Sequence, residues 1–365
     1  MPHAAVALNT LLWKRAANAM SASALENLVR VQRTTEAGER IAYLDGWRGL
    51  AVLFVLLDHF SHGLFGWAGD LGVELFFVLS GSLMAQIIFV RKVAVRTFIV
   101  RRLSRVYPAL FVFATAMTVV STIAIRFGLP PQMAVSPSEY GYALIFLSNY
   151  YHVITGTNSV VGHLWSLSVE EHSYIILLMI AFFVGWRANR GAIVMTILAL
   201  MALLNGMRLE SAGLEAHAIY WRSDVRIASI LISCVIFLVL RTKKVPTLIA
   251  PALLVVGIAL FALSPDPVRF TLGSLCLAIS VNSLADAPNG FRALLSMPIF
   301  TRVGLYSYSL YLWQQPFYKV AERAPLWLTP VALATTFVVA YLSFRIVENP
   351  TRDAINRRFG QLSHH

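Results

Sequence analysis

Long apolar runs separated by short polar breaks set the pattern of this chain. IILLMIAFFVGW (175–186), GAIVMTILALMALL (191–204), IASILISCVIFLVL (227–240) and LIAPALLVVGIALFAL (248–263) are examples. About 20 apolar residues cross a bilayer as a helix, whereas a barrel strand gives ~10-residue alternating segments. The pattern predicts one all-α polytopic integral membrane bundle. Its transmembrane helices, about ten by this spacing, fall near 49–66, 71–90, 107–126, 166–186, 192–207, 223–240, 246–264, 269–285, 302–320 and 327–346. A weaker stretch, YGYALIFLSNYYHVITG (140–156), is shorter and turns polar in its second half. The bundle occupies 41–352, between an N-terminal tail at 1–40 and a C-terminal tail at 353–365.

Charge gives the bundle an orientation. The formal net charge is +12, although only 13% of residues are charged. In a soluble chain that excess points to nucleic acid. In a membrane chain it follows the accumulation of Lys and Arg in cytoplasmic loops, so no nucleic-acid partner is expected. Residues 91–105 carry Arg91, Lys92, Arg96, Arg101, Arg102 and Arg105 and no acid, while 127–165 contains no Lys or Arg. Putting all basic loops on one side requires 140–156 to dip in without crossing, and leaves both termini cytoplasmic. Re-entrant backbone is tolerated where protein or a water-filled cavity surrounds it. The tail 1–40 makes a poor signal peptide, because its basic residues follow its apolar stretch. Cys234 and Cys276 both lie inside apolar runs and imply no disulfide framework.

Polar groups inside the runs are the candidate chemistry. In WRGLAVLFVLLDH (47–59), ten residues separate Arg48 from His59, all apolar except Gly49 and Asp58. On a helix the two share a face, about 16 Å apart along the axis. Ionisable residues at membrane depth face the interior and serve function. Ser80 and Gly81 are small residues suited to close helix packing. RRLSRVYP (101–108) sets Arg102 and Arg105 at i, i+3 beside Arg101. They either meet anionic lipid or grip phosphate groups through planar guanidinium forks. In GHLWSLSVEEHSY (162–174), Glu170, Glu171 and His172 form an ionisable knot. Glu170 and Glu171 point about 100° apart, so only one of them should face a given cavity. YWRSDVR (220–226) holds an internal ion-pair set, SYSLYLWQQP (307–316) an aromatic and amide lining, and FRIVENPTR (344–352) places Glu348 between Arg345 and Arg352. No spacing in the chain calls for a metal.

Six of these pieces, LDGWRGLAVLFVLLDH, GVELFFVLSG, RRLSRVYP, LWSLSVEEHSY, YSLYLW and FRIVENP, run in order across nearly the whole chain. Together they resemble the acyltransferase-3 family of integral membrane O-acyltransferases. The resemblance implies transfer of an acyl group, usually acetyl, from acyl-CoA to a hydroxyl. The acceptor it implies is a surface carbohydrate such as an exopolysaccharide, O-antigen or glycolipid, and the location is the bacterial inner membrane. It also implies that Arg48 and His59 are the essential pair, that Arg102 and Arg105, with Arg101 beside them, lie near acyl-CoA, and that Glu348 is the family's terminal acid. Glu170 and Glu171 join the expected catalytic set. The family often has histidine where this chain has Gln314, and glutamine where it has His172, so Gln314 is given no catalytic role. No serine-esterase-like domain follows the last run here, so the membrane domain is expected to work alone or with a partner.

The mechanism expected from these residues has arginines holding the CoA phosphates. His59 acts as general base on the acceptor hydroxyl or carries the acyl group itself. The axial separation assigns Arg48 to the CoA end. The rival class is a secondary transporter, which buried charges and many spans suit equally. Transporters, however, often show paired internal repeats with corresponding broken helices. The two halves of this chain show no convincing repeat, and its motifs cluster without symmetry.

Overall fold

The computed structural model describes residues 41–359 except 129, 131, 132 and 158, and the tail 1–40 lies outside the described residues. The described chain is all-helical. Its helices are α1 (Ala42–Phe60), α2 (Trp67–Ala85), α3 (Val95–Ala124), α4 (Pro137–Leu144), α5 (Ser148–Thr155), α6 (Leu164–Phe183), α7 (Ala188–Ser211) and α8 (Ala216–Tyr220). They continue with α9 (Ser223–Leu240), α10 (Ile249–Leu263), α11 (Ser274–Asn282), α12 (Asn289–Leu295), α13 (Pro298–Leu305), α14 (Ser307–Ala321), α15 (Thr329–Ser343) and α16 (Asn349–Phe359).

Six helical stretches among the described residues are long and apolar enough to cross a membrane: Trp67–Val90, Val95–Phe127, Leu164–Phe183, Ala188–Ser211, Ser223–Leu240 and Leu326–Phe359. The other four expected spans depart from simple rods for visible reasons. α1 is long, but Asp45, Arg48 and Asp58 interrupt its apolar character. α10 has 15 residues. The segment expected at 269–285 opens with a π-helical turn, Arg269–Gly273, before the nine residues of α11. The segment expected at 302–320 breaks at Tyr306 into α13 and α14. The stretch 140–156 becomes the two eight-residue helices α4 and α5, each too short to cross. Large apolar side chains such as Phe182, Phe183, Leu204 and Leu263 point outward, the arrangement a lipid surround rewards.

Small residues let the backbones around α1 touch. A Cβ on Gly46 would lie 1.7 Å from the Leu295 carbonyl oxygen, and one on Gly49 2.0 Å from that of Phe300. From the other side, a Cβ on Gly304 would lie 1.8 Å from the Asp45 carbonyl oxygen. Glycine at these crossings brings helices closer than any other residue allows. α1 also packs along α2, where the Trp47 indole Nε1–H donates to the Leu75 carbonyl at 3.0 Å. Gly81 of α2 abuts the Ile230 carbonyl of α9, the packing its small size predicts. At the centre, Glu74 of α2 and Arg226 of α9 form a fully buried ion pair at 2.7 Å, with the guanidinium 4.1 Å from the Phe270 ring centroid. This pair locks α2 to α9, and α2 then presents side chains to the site.

Candidate active site

α1 runs between two chambers. Arg48, near its start, lines a cavity together with Ser80, Arg102, Arg105, Glu170 and Tyr308. Asp58 and His59, at its end, line a second and larger cavity. Val73 and Tyr311 border both, so the chambers share a wall. The face predicted to carry Arg48 and His59 does carry both, and their axial separation delivers them to different chambers.

The first chamber is basic. Arg48 pairs with Asp45 one turn back at 2.7 Å. Arg102 is bound on both sides of its fork. Its Nε–H donates to Glu171 at 2.6 Å and its Nη2 to Glu170 at 2.7 Å, while the guanidinium lies 4.4 Å from the Tyr174 ring centroid. The Ser80 hydroxyl donates to the other oxygen of Glu170, so Ser80 is part of this polar network while its neighbour Gly81 does the packing. Arg105 has no hydrogen-bond or ion-pair partner among the described residues and faces the same cavity. The arginine pair recognised at i, i+3 therefore divides. Arg102 is committed to two carboxylates and Arg105 is free to bind an anion. Of the adjacent acids, Glu170 lines the cavity while Glu171 holds Arg102 from behind, the inequality their angular offset predicts. Arg101 is exposed and outside the cavity lining. Glu348 is buried, accepts from the Ser309 hydroxyl at 2.9 Å, and is a charge neighbour of Arg105 and Arg352. The π-helical turn Phe344–Glu348 delivers it there.

The second chamber centres on His59. Its ring stacks on Tyr318 at 4.2 Å and 8°. Its Nδ1–H donates to Gln314 Oε1 at 2.5 Å, because the Gln314 Nε2 points the other way, to the Tyr311 carbonyl and to Gln315. This fixes the tautomer and leaves the Nε2 lone pair as the available base. Asp58 Oδ2 lies 3.9 Å from that Nε2. Gln314, given no role from sequence, is thus the residue that orients the ring. A single sequence could not reveal this contact, because its partners are 255 residues apart. His62 lies past the end of α1, pairs with Thr329, and stays outside the chamber lining. His172 bonds Ser223 at 2.7 Å, again outside the lining. His163, unnoticed beside the louder Glu170–Glu171 signal, does line the chamber.

Tyr311 builds the shared wall. Its hydroxyl donates to the His163 carbonyl at 2.9 Å and meets the Ser166 hydroxyl at 2.6 Å, tying α14 to the start of α6. The α4–α5 segment closes the second chamber from the side, with His152, Val153 and Gly156 in its lining.

A helical membrane protein with a basic chamber, a histidine chamber and one shared wall is the class that fold and site define. The chain belongs to the acyltransferase-3 family, whose model for the acyltransferase domain matches residues 41–345. It is 26% identical to the peptidoglycan O-acetyltransferase OatA of Listeria monocytogenes serovar 1/2a over 88% of this chain and 57% of that protein. It is 25% identical to the O-acetyltransferase OatA of Staphylococcus aureus (strain NCTC 8325 / PS 47), over 85% of this chain and 57% of the relative. The chain thus spans little more than half the length of these curated relatives. No solved structure matches it.

Proposed function

We propose that this protein is an acyl-CoA-dependent O-acyltransferase of the bacterial inner membrane. It moves an acetyl group to a hydroxyl of a cell-surface carbohydrate, with peptidoglycan as the first candidate because its relatives are named for it. The observation that carries the proposal is that one helix serves two chambers of opposite chemistry, Arg48 in one and His59 in the other. Basic loops such as 91–105 favour the cytoplasm, so the basic chamber takes acyl-CoA from that side. Arg105 and Arg48 then meet its phosphates, and the Arg102–Glu170–Glu171 network holds the chamber's shape. Residues Phe76, Leu79 and Leu83 give the chamber apolar walls that suit the pantetheine arm.

The acceptor hydroxyl enters the histidine chamber. His59 Nε2 takes the hydroxyl proton as the oxygen attacks the thioester carbonyl. The C–S bond breaks, the ester C–O bond remains, and the CoA thiolate is reprotonated by the imidazolium. Gln314 keeps the ring in the productive tautomer throughout. The test is transfer of labelled acetyl from acetyl-CoA to surface glycan in membranes. His59→Ala should abolish transfer while the protein accumulates normally. Undiminished transfer by that variant would remove His59 from the chemistry.

A further inference from the structure

The two chambers differ in charge as well as in their histidines. The basic chamber has three guanidinium groups in its lining, Arg48, Arg102 and Arg105, against one carboxyl, Glu170. The histidine chamber reverses this balance. Asp58, Asp70, Glu215 and Asp266 line it against a single guanidinium, Arg269, and that one already pairs with Asp266 at 3.3 Å. Aromatic faces from Trp165, Tyr220, Trp221 and Tyr318 complete the lining. Flat aromatic faces together with carboxyl groups and the Gln315 amide match a saccharide, which presents apolar C–H faces and a rim of hydroxyls.

A second and independent observation points to a missing ligand. His163 is 6% exposed and lines this chamber, yet neither ring nitrogen has a hydrogen-bond partner of standard geometry among the described residues. The Leu312 backbone is near the ring but makes no hydrogen bond of standard geometry to it. The ring is held edge-on by Phe113 at 5.5 Å and Tyr311 at 5.2 Å, so it cannot swing to find a partner. A buried polar group without a partner is unfavourable unless something supplies one. In a chamber of this size a substrate hydroxyl can.

We infer that the histidine chamber binds a neutral or amine-bearing saccharide and rejects anionic ones, with His163 hydrogen-bonding a hydroxyl of the bound sugar. The inference rests on the acceptor side of the function proposed above. Carboxylate-bearing sugars meet like charge in a partly desolvated space, where repulsion is stronger than in water. The same field discourages the polyanionic CoA from passing the shared wall.

The test uses the full purified chain in detergent, with Trp165 and Trp221 as fluorescence reporters in the chamber. The probes are tetrasaccharides of N-acetylglucosamine, glucosamine and galacturonic acid. The first two should quench saturably, and the third should bind at least about tenfold more weakly, a difference of 1.4 kcal/mol. Asp266→Asn combined with Glu215→Gln should narrow that gap. His163→Phe should weaken the neutral probe by about tenfold or more, and His163→Gln, which keeps a donor and an acceptor, should recover part of the loss. Galacturonate binding as tightly as the neutral probe, saturable quenching by none of the three, or His163→Phe and His163→Gln both binding like wild type would each overturn the inference. Acetyl transfer is scored separately. Discriminating saccharide binding without transfer would sink the transferase proposal alone, and transfer without charge discrimination would sink this inference alone.

Discussion

At the scale of single residues, the two arginines of RRLSRVYP carry different work. Arg105 faces the basic chamber with no hydrogen-bond or ion-pair partner among the described residues, whereas Arg102 is spent on Glu170 and Glu171. Lysine keeps the charge of either but loses the planar fork. Arg105→Lys should therefore raise KM for acyl-CoA about ten- to a hundredfold, since each charge-assisted bond contributes ~1.5–3 kcal/mol, while accumulation stays normal. Arg102→Lys should instead lower accumulation and thermal stability, because it strands a buried carboxylate. Initial rates against acyl-CoA concentration, with immunoblots of the same membranes, separate the two. A matching KM shift in both variants would contradict the division. Much of this site was legible residue by residue. The spacing of Arg48 and His59 put them on one helix at different depths, where they line separate chambers, and the offset of Glu170 from Glu171 gave their unequal facing. What spacing could not carry was partnership across the fold. Arg102 meets Glu171 at a separation of 69 residues, and His59 meets Gln314 at 255. His163 left no signal at all, because what distinguishes it is the absence of a partner among the described residues.

At the scale of elements, apolar runs located the helices well and their interruptions poorly. α6, α7 and α9 fall within a few residues of their expected spans, because each is a continuous run bounded by polar breaks. The π-helical turns at Arg269–Gly273 and Phe344–Glu348 left no mark in the periodicity, since one inserted residue hardly changes an apolar average. The break at Tyr306 between α13 and α14 is equally silent in composition, and it follows the glycine contact that pins α13 to α1. That contact is the element-scale weak point. A side chain on Gly49 must displace the Phe300 backbone, which no rotamer can avoid. Gly49→Val should destabilise the protein by about 1–3 kcal/mol through overpacking. It should also lower activity beyond any loss of protein, because α1 holds both Arg48 and His59. Thermal aggregation of the purified protein and transfer per molecule measure the two effects. Wild-type values for both would show that the crossing yields more easily than its backbone contact implies.

At the scale of the whole molecule, the shared wall decides whether the two chambers remain two. Tyr311 spans it, fastened to His163 and Ser166. Tyr311→Phe keeps the ring and should retain most separation. Tyr311→Ala opens the wall, so water should reach the thioester. Acyl-CoA hydrolysis should then rise relative to acyl transfer by about tenfold, the effect of ~1.4 kcal/mol on competing barriers. Free CoA release measured beside acylated product checks this, and an unchanged ratio would mean that other residues seal the path. The wall has a further consequence, for the electrical life of the membrane. A charge crossing a bilayer at 100 mV exchanges about 2.3 kcal/mol with the field. In the reaction proposed here, the acyl group passes one way and the acceptor's hydroxyl proton passes the other through His59, so no net charge goes from one chamber to the other. The cell can acylate its surface without discharging its own battery, and the rate should be indifferent to the voltage across the bilayer.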